Sequence, residues 1–301
     1  MSMMNRYKIS PRGPYLSCEI GPYRITLMNL GNFALDGGAM FGVVPKVIWN
    51  KLLPADELNR IPLATNCLLL EYEDELCFVD AGMGNKWSEK HRDMYGMVFD
   101  AAHAHDILHS LAAIGIEGRH ITKHLLTHLH FDHAGGATRI NASGELVPTF
   151  ENAEYVVHRG DWVDAHDPTP KSKASYLKEN FDPLEASGRL KLLDGDVNEI
   201  LPGLSFRVTG GHIAHHQILV LDLPELEQGF VFWGDLVPMH HHLRIPYVPA
   251  YDLYPIEVMA VKERLLKEAY DKHWLNIFEH DTQYPWGELT WNAEKSIYSL
   301  G

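Results

Sequence analysis

Residues 127–136 of the chain read Thr-His-Leu-His-Phe-Asp-His-Ala-Gly-Gly, a density of potential metal ligands that rarely arises without a metal. His128 and His130 are two residues apart, so on an extended segment their side chains project to the same side. Asp132 and His133 follow where the chain must turn, and the two glycines behind them permit a tight backbone path into the next helix. The spacing therefore predicts two ligands for one metal ion and two for a neighbouring ion.

The composition is that of a globular protein with a sizeable buried core: 301 residues, 46% hydrophobic and 22% charged. Acidic residues outnumber basic ones by 40 to 26, which gives a net charge of −14. Such a surface repels phosphate groups, so we expect neither nucleic acid nor an anionic membrane as a partner. Three cysteines cannot all pair within one chain, and no uncharged apolar run approaches the ~20 residues that span a bilayer. Together with an N-terminus unlike a signal peptide, these features predict a cytoplasmic protein.

Short apolar runs alternate with helical patterns along the whole chain, with no internal repeat and no Gly/Ser linker. The pattern predicts one domain over residues 1–301, of the α/β (α+β) class. Two strand-rich halves, each with one face to bury, suggest an αββα sandwich of two mixed β-sheets flanked by helices. Helices are expected at 102–114 and 256–270. Strands are expected at Tyr23–Leu30, 65–72, 75–80, Lys123–Thr127, Glu154–His158, 190–193, 204–209, 217–223, 229–233 and Trp274–Phe278.

The HxHxDH run with its Gly-Gly tail resembles the defining motif of the metallo-β-lactamase superfamily of hydrolases. Four further elements match that family in the family's own order along the chain. The resemblance implies the αββα sandwich, with the site at one end of its two packed sheets. The matching elements are Phe78-Val79-Asp80-Ala81-Gly82, Thr209-Gly210-Gly211-His212, Trp233-Gly234-Asp235 and Glu279-His280-Asp281.

The resemblance also implies two divalent metal ions, with zinc as the expected metal. Two such ions close together lower the pKa of a shared water and polarise a carbonyl or phosphoryl oxygen. In the family, the counterpart of Asp80 anchors the ligand loop by hydrogen bonding; a plain strand-end turn is the alternative. The implied ligands are His128, His130 and His212 for the first ion, Asp132, His133 and His280 for the second, and Asp235 as the carboxylate bridging both.

Several features separate the chain from other branches of the superfamily. His130 is retained where the redox di-iron members have glutamate, and Asp235 takes the bridging position in a chain without the export signal or metal-site cysteine of secreted β-lactamases. The net charge of −14 is unsuited to a nuclease. Thioesterases of the glyoxalase II type stay open as an alternative, although the chain has no basic C-terminal segment suited to glutathione.

The N-terminal stretch 36–45, with Asn59-Arg60 and Thr65-Asn66-Cys67-Leu68 beyond it, resembles the quorum-quenching N-acyl-homoserine lactonases. Methyl-parathion-hydrolase-like enzymes share the same layout. The resemblance implies a small-molecule substrate, a lactone or related carboxylic ester, opened by metal-bound hydroxide. Hydrolysis of a phosphotriester or phosphodiester by the same ions is the alternative. A non-catalytic metal-binding protein is a rival of another class, and the complete ligand set argues against it.

Leaving-group protonation needs a donor, because Pro238 stands where some lactonases place an assisting tyrosine. Among His240, His241 and His242, which follow the bridging aspartate closely enough to line the site mouth, we expect His242 to be catalytic. Asp132 is the expected proton shuttle. A loop without function is the alternative for the three histidines.

Two segments are expected to wall the substrate pocket. One is an N-terminal lid segment of about 31–64, and the other is a helical insert of about 160–187. Ordinary core packing or contact within a homodimer is the alternative for the apolar residues of the first segment. These residues are Met40, Phe41, Val44 and Trp49.

Overall fold

A computed structural model of the chain describes residues 7–100 and 104–301. Its strands are β1 (Lys8–Arg12), β2 (Tyr15–Ile20), β3 (Tyr23–Asp36), β4 (Arg60–Tyr72), β5 (Glu75–Val79), β6 (Lys123–Leu125), β7 (Thr138–Ile140), β8 (Leu146–Pro148), β9 (Glu154–His158), β10 (Leu190–Leu193), β11 (Val197–Leu201), β12 (Leu204–Val208), β13 (Gln217–Leu223), β14 (Gln228–Phe232), β15 (Leu275–Ile277), β16 (Trp286–Gly287), β17 (Leu289–Asn292) and β18 (Ile297–Leu300). Its α-helices are α1 (Gly37–Phe41), α2 (Lys46–Trp49), α3 (Glu89–Met94), α4 (Ile107–Ala112), α5 (Phe131–Ala134), α6 (Arg159–His166), α7 (Asp182–Ala186) and α8 (Pro255–Asp271). Short 3₁₀ turns lie at Gly118–His120, Gly135–Ala137, Lys173–Ser175, Lys178–Asn180, Pro224–Leu226, Gly234–Leu236 and His240–Leu243.

Most of the described strands belong to two mixed sheets. The first has the order β1-β2-β3-β4-β5-β6-β9-β10, and it turns from antiparallel to parallel at the β5–β6 pair. The second has the order β11-β12-β13-β14-β15-β16, with a single parallel pair between β14 and β15. Parallel neighbours need crossover connections, and helices α3–α8 lie in those connections, whereas α1 and α2 lie between β3 and β4. The predicted α/β class with two mixed sheets is confirmed.

The described chain divides into two compact units, each with a core of its own. Residues 33–64 and 195–301 form one unit, in which Trp233 and Trp274 are fully buried against the apolar face of α8. Residues 7–32, 65–100 and 104–194 form the other, whose core includes Phe78, Phe150 and Tyr155. A single domain over 1–301, with a lid segment at 31–64 and an insert at 160–187, stays a prediction.

The predicted elements recur with small shifts at their ends. The strand expected at 65–72 begins earlier, at Arg60, and meets β5 through a turn at Glu73-Asp74 in which Glu73 has a φ of +50°. The helix expected at 102–114 is shorter: the Asp106 side chain caps its start by accepting from the Leu108 and His109 amides. The first positions of that prediction, 102 and 103, lie outside the described residues. Among the helices within the described ranges, none has the length and apolar character needed to cross a bilayer.

The ligand-rich stretch leaves its strand two residues earlier than predicted. β6 ends at Leu125, and the amide of Thr127 is bonded to the carboxylate of Asp80 instead of to a neighbouring strand. Helix α5 follows within a few residues, and a 3₁₀ turn holds Gly135 and Gly136. A Cβ on Gly135 would lie 2.1 Å from the Met83 carbonyl oxygen, so close approach of two backbones is what requires glycine here.

We predict that Gly135→Ala lowers the free energy of unfolding by about 3 kcal/mol, because a backbone carbonyl cannot move aside as a flexible side chain can. Urea denaturation of the ion-free protein measures the loss. Gly38→Ala is the control: this helical glycine would place its Cβ 3.0 Å from a movable Asp36 carboxylate. Equal losses in the two variants would contradict the close-approach explanation.

Candidate metal centre

Four of the predicted ligands lie together in one unit, immediately after β6. His128 and His130 flank Leu129, and Asp132 and His133 lie in α5; all four are buried. The rings of His128 and His130 have their centroids 4.5 Å apart, and those of His128 and His133 are 4.0 Å apart. Hydrogen bonds from the rings of His128 and His133 to neighbouring side chains hold them at these distances.

Asp80 supplies that hold. Its Oδ1 accepts from the Thr127 amide at 2.7 Å, and its Oδ2 accepts from the Thr127 hydroxyl at 2.7 Å and from Nδ1 of His133 at 3.0 Å. Asp80 is fully buried and has a φ of +54°, a backbone conformation that leaves the strand abruptly. These bonds confirm that Asp80 anchors the ligand loop.

The same bonds fix the tautomers of two ligands. Since the Thr127 hydroxyl donates to Asp80, it accepts from Nδ1 of His128, 3.1 Å away. Nδ1 of His133 donates to Asp80 in the same way. Each ring therefore carries its proton on Nδ1 and presents the Nε2 lone pair that a metal ion needs.

The other three predicted ligands lie together in the second unit. His212 follows β12, Asp235 lies in the 3₁₀ turn after β14, and His280 follows β15. The two oxygens of Asp235 face different rings: Oδ2 is 3.2 Å from Nε2 of His212, and Oδ1 is 3.1 Å from Nε2 of His280. One carboxylate thus faces two histidine rings of this unit, one with each oxygen.

The Nδ1 partners of these two histidines test whether the donor set suits a metal. Nδ1 of His280 lies 2.8 Å from the carbonyl oxygen of Ala64, which can only accept, so Nδ1 carries the proton. Nδ1 of His212 is bonded to the buried carboxylate of Asp252 at 2.7 Å. An Nε2 lone pair facing a carboxylate oxygen at about 3 Å is repulsive unless a cation lies between them or the ring takes up a proton. The donor set fits divalent ions.

His216 is a buried histidine that lies outside the predicted ligand set. Its Nδ1 bonds the Thr209 hydroxyl at 2.7 Å, and its Nε2 accepts from the Asp235 amide at 3.0 Å. Both ring nitrogens are therefore engaged, and the ring fixes the backbone of Asp235.

His242 is buried, whereas the sequence suggests a place on a loop at the site mouth. It lies in the 3₁₀ turn His240–Leu243, donates from Nε2 to the Met40 carbonyl at 2.9 Å, and stacks on Phe41 with ring centroids 5.2 Å apart. Burial lowers the pKa of His242 to about 3, so the ring is neutral at pH 7. To protonate a leaving group, the ring would have to release Met40 or take up a proton in an apolar setting. Its catalytic role stays a prediction.

The apolar residues expected to wall the pocket are packed inside their unit. Phe41 and Trp49 stack with parallel rings and centroids 5.6 Å apart, and Met40 is buried beside them. The most exposed large apolar side chains of this segment are instead Val43 and Val47, at 90% and 74% exposure. Met40, Phe41 and Trp49 therefore take part in ordinary core packing, which is the alternative to a pocket wall.

Asp252 is a functional candidate that sequence reasoning missed. It lies 40 residues from His212 in sequence, outside every recognised motif, and reaches the ring because Leu253 and Tyr254 donate their amides to the carbonyls of His212 and Gly211. No local pattern signals such a contact.

Comparison with known proteins places this site in a family. A model of the metallo-beta-lactamase superfamily matches residues 60–280, which is more than half of the chain. The chain therefore belongs to the metallo-β-lactamase superfamily of hydrolases. A probable metal-dependent hydrolase from Staphylococcus aureus has 33% sequence identity and a TM-score of 0.83, over 94% of this chain and 98% of that one. This similarity confirms the predicted metallo-β-lactamase fold.

Lactonases are among the relatives. An N-acyl homoserine lactonase from Bacillus sp. is 30% identical over 179 residues, which is 58% of this chain and 63% of that protein. The match thus spans less than two thirds of the relative's length. AidC, a dizinc quorum-quenching lactonase, aligns over 97% of this chain with a TM-score of 0.72 and 16% identity, a similarity of fold alone.

We predict that His242 makes the ion-free protein more sensitive to acid. Between pH 6.5 and about pH 3, the unfolded chain binds a proton at this ring that the folded chain does not, so stability falls as the pH falls. The effect is at most about 1.4 kcal/mol per pH unit. Urea denaturation at pH 6.5, 5.5 and 4.5 should therefore give a shallower pH slope for His242→Gln than for the wild type.

The control for that measurement is His120→Gln, which changes an exposed histidine and should keep the wild-type slope. A wild-type slope in His242→Gln would mean that the buried ring is already protonated in the folded protein.

Proposed function

We propose that the chain is a dinuclear metal-dependent hydrolase that opens a lactone or a related carboxylic ester. The observation that carries this proposal is Asp235, whose two carboxylate oxygens each face the Nε2 of a different histidine. A carboxylate used in this way suits two ions rather than one. Membership in a hydrolase superfamily and the N-acyl homoserine lactonase relatives support the reaction class.

The proposed ligands are those that the family resemblance implies. When bound, two divalent ions would supply Lewis acidity and lower the pKa of a water molecule toward neutrality. Zinc accepts imidazole nitrogens and carboxylate oxygens readily, and it is the metal of this proposal. His128, His130 and His212 would hold the first ion, Asp132, His133 and His280 the second, and Asp235 both.

The protein's own part in the reaction is to hold these ligands in place before substrate arrives. Asp80 fixes the loop of four ligands, Asp252 orients His212, and His216 fixes the backbone of Asp235. Ligands locked by hydrogen bonds need no reorganisation when charge develops on the substrate oxygen. We assign the movement of the proton to Asp132, and its delivery to the leaving group to His242 as the candidate donor.

A small-molecule substrate in the cytoplasm is the setting that we propose. The net charge of −14 disfavours polyanionic substrates, and all three cysteines are buried thiols, as suits a reducing compartment. Association into a homodimer belongs to the same proposal.

We predict that the purified protein carries about two divalent ions per chain, and that Asp235→Ala loses ions from both positions and all turnover. The reason is that a shared carboxylate cannot be replaced by water without separating the ions. Elemental analysis under zinc-replete conditions measures the content. His120→Ala should keep the wild-type content, whereas one ion per wild-type chain would refute the dinuclear centre.

We predict that the zinc-loaded protein hydrolyses lactones with a higher kcat/KM than aryl esters, thioesters or phosphotriesters. Initial rates across one panel of these four classes provide the measurement. A preference for phosphotriesters would favour the alternative chemistry on the same ions, and a preference for thioesters would favour the glyoxalase II type.

The same panel applied to His242→Ala tests the proton donor. A positioned acid contributes typically ~10²–10⁴-fold, and the contribution is larger for poor leaving groups. A loss confined to unactivated substrates, with both ions retained, supports this role, and an equal loss on all substrates assigns His242 to packing.

A further inference from the structure

Asp161 is a buried carboxylate near two of the proposed ligands, yet it belongs to no ligand set. It lies in the first turn of α6, at the start of the segment expected to wall the pocket. Its Oδ2 accepts from the backbone amide of Leu129 at 2.8 Å, and its side chain is fully buried. Leu129 is the residue between His128 and His130, so this bond fixes the backbone that carries both rings.

Tyr176, from the same segment, completes the contact. Its hydroxyl donates to Oδ1 of Asp161 at 2.9 Å. Its ring packs edge-to-face against the ring of His130, with the two centroids 4.8 Å apart. Burial beside the Asp161 carboxylate raises the pKa of Tyr176, so the hydroxyl keeps its proton and remains a donor. One end of Tyr176 thus holds the carboxylate, and its ring packs against a proposed ligand.

Two carboxylates therefore hold alternate amides of the segment that follows β6. Asp80 accepts from the Thr127 amide and Asp161 from the Leu129 amide. Past the end of β6, these side chains take the place that a neighbouring strand would have. The spacing of His128 and His130 is thereby set by Asp161 as well as by Asp80.

Charge gives Asp161 a second effect. The Asp161 side chain is buried, and removing a carboxylate from water costs free energy. A divalent ion on the neighbouring histidines would offset that cost. The coupling is reciprocal: if the bound ion stabilises the Asp161 charge by a given free energy, the Asp161 charge makes the free energy of ion binding more favourable by the same amount.

We propose that Asp161 and Tyr176 are positioning residues for the ion held by His128 and His130, so that the 160–187 segment sets the metal affinity of the centre. The inference rests on the proposed metal centre. It adds that the affinity for one ion depends on a carboxylate that never touches it.

The test is Co²⁺ titration of the ion-free protein, followed by absorption spectroscopy, alongside the melting temperature of each ion-free variant. Asp161→Asn keeps the shape and an oxygen acceptor for the Leu129 amide but removes the charge. We expect one of the two Co²⁺ ions to bind roughly 10–100-fold more weakly, with the other little changed. Tyr176→Phe keeps the ring on His130 and removes only the hydroxyl, so we expect a smaller loss for the same ion.

Asp167→Asn is the matched control, because it removes the same charge at the exposed C-terminal end of α6. Its Co²⁺ affinity should equal that of the wild type. Equal losses in Asp161→Asn and Asp167→Asn would overturn the proposal, as would a lower melting temperature of Asp161→Asn with unchanged Co²⁺ affinity.

Two further outcomes are distinguishable. If Asp161→Asn does not fold, Tyr176→Phe decides, and wild-type affinity in that variant overturns the proposal. If the wild-type protein binds only one Co²⁺, the dinuclear function fails, and the inference then stands or falls on the affinity of that ion in Asp161→Asn.

Discussion

The buried carboxylate of Asp80 accepts hydrogen bonds from Thr127 and His133, and the geometry of the ligand loop depends on it. Asp80 leaves its strand with a positive φ, which sends the following residues across the start of α5. There the Ala81 amide donates to the His133 carbonyl, and the Met83 carbonyl packs against Gly135. Replacing that glycine by any larger residue would separate the two loops. The Asp80 side chain thus joins the strand end to the loop at 127–133, and backbone contacts of the residues after Asp80 join them to the glycine pair.

The proposed ligand histidines with a described Nδ1 partner share one feature. The partner is a carboxylate for His133 and His212, a hydroxyl for His128, and a carbonyl for His280. The partners differ chemically, but each directs the ring proton to Nδ1 and leaves Nε2 with the lone pair that a metal ion would need. Side-chain rotation is restricted at the same time. The rings therefore lose their conformational entropy during folding, and no further entropy has to be lost to order them when an ion binds.

Much of this could be predicted from the sequence, and the remainder shows where local patterns fail. The four candidate ligands at 128–133 fall within six residues, so spacing alone indicates them, whereas His212, Asp235 and His280 follow only from the family resemblance. Strand β1 was not predicted, because Lys8–Arg12 is mostly polar and contains a proline, which is not typical of a strand interior. The bond from His280 to Ala64 spans 216 residues of sequence, so no motif signals it. The burial of His242 likewise depends on Met40, which is distant in sequence.

The buried acids also connect metal binding to folding. Asp80, Asp161 and Asp252 are each at most 1% exposed, and each accepts from the backbone or from a side chain that positions a proposed ligand. A buried negative charge raises the free energy of the ion-free fold, and hydrogen bonds offset only part of that cost. Divalent ions that bind the folded chain but not the unfolded chain would supply the remainder. On the proposed ligand set, the carboxylates that orient the rings would make the ion-free fold less stable, and the same destabilisation would strengthen ion binding.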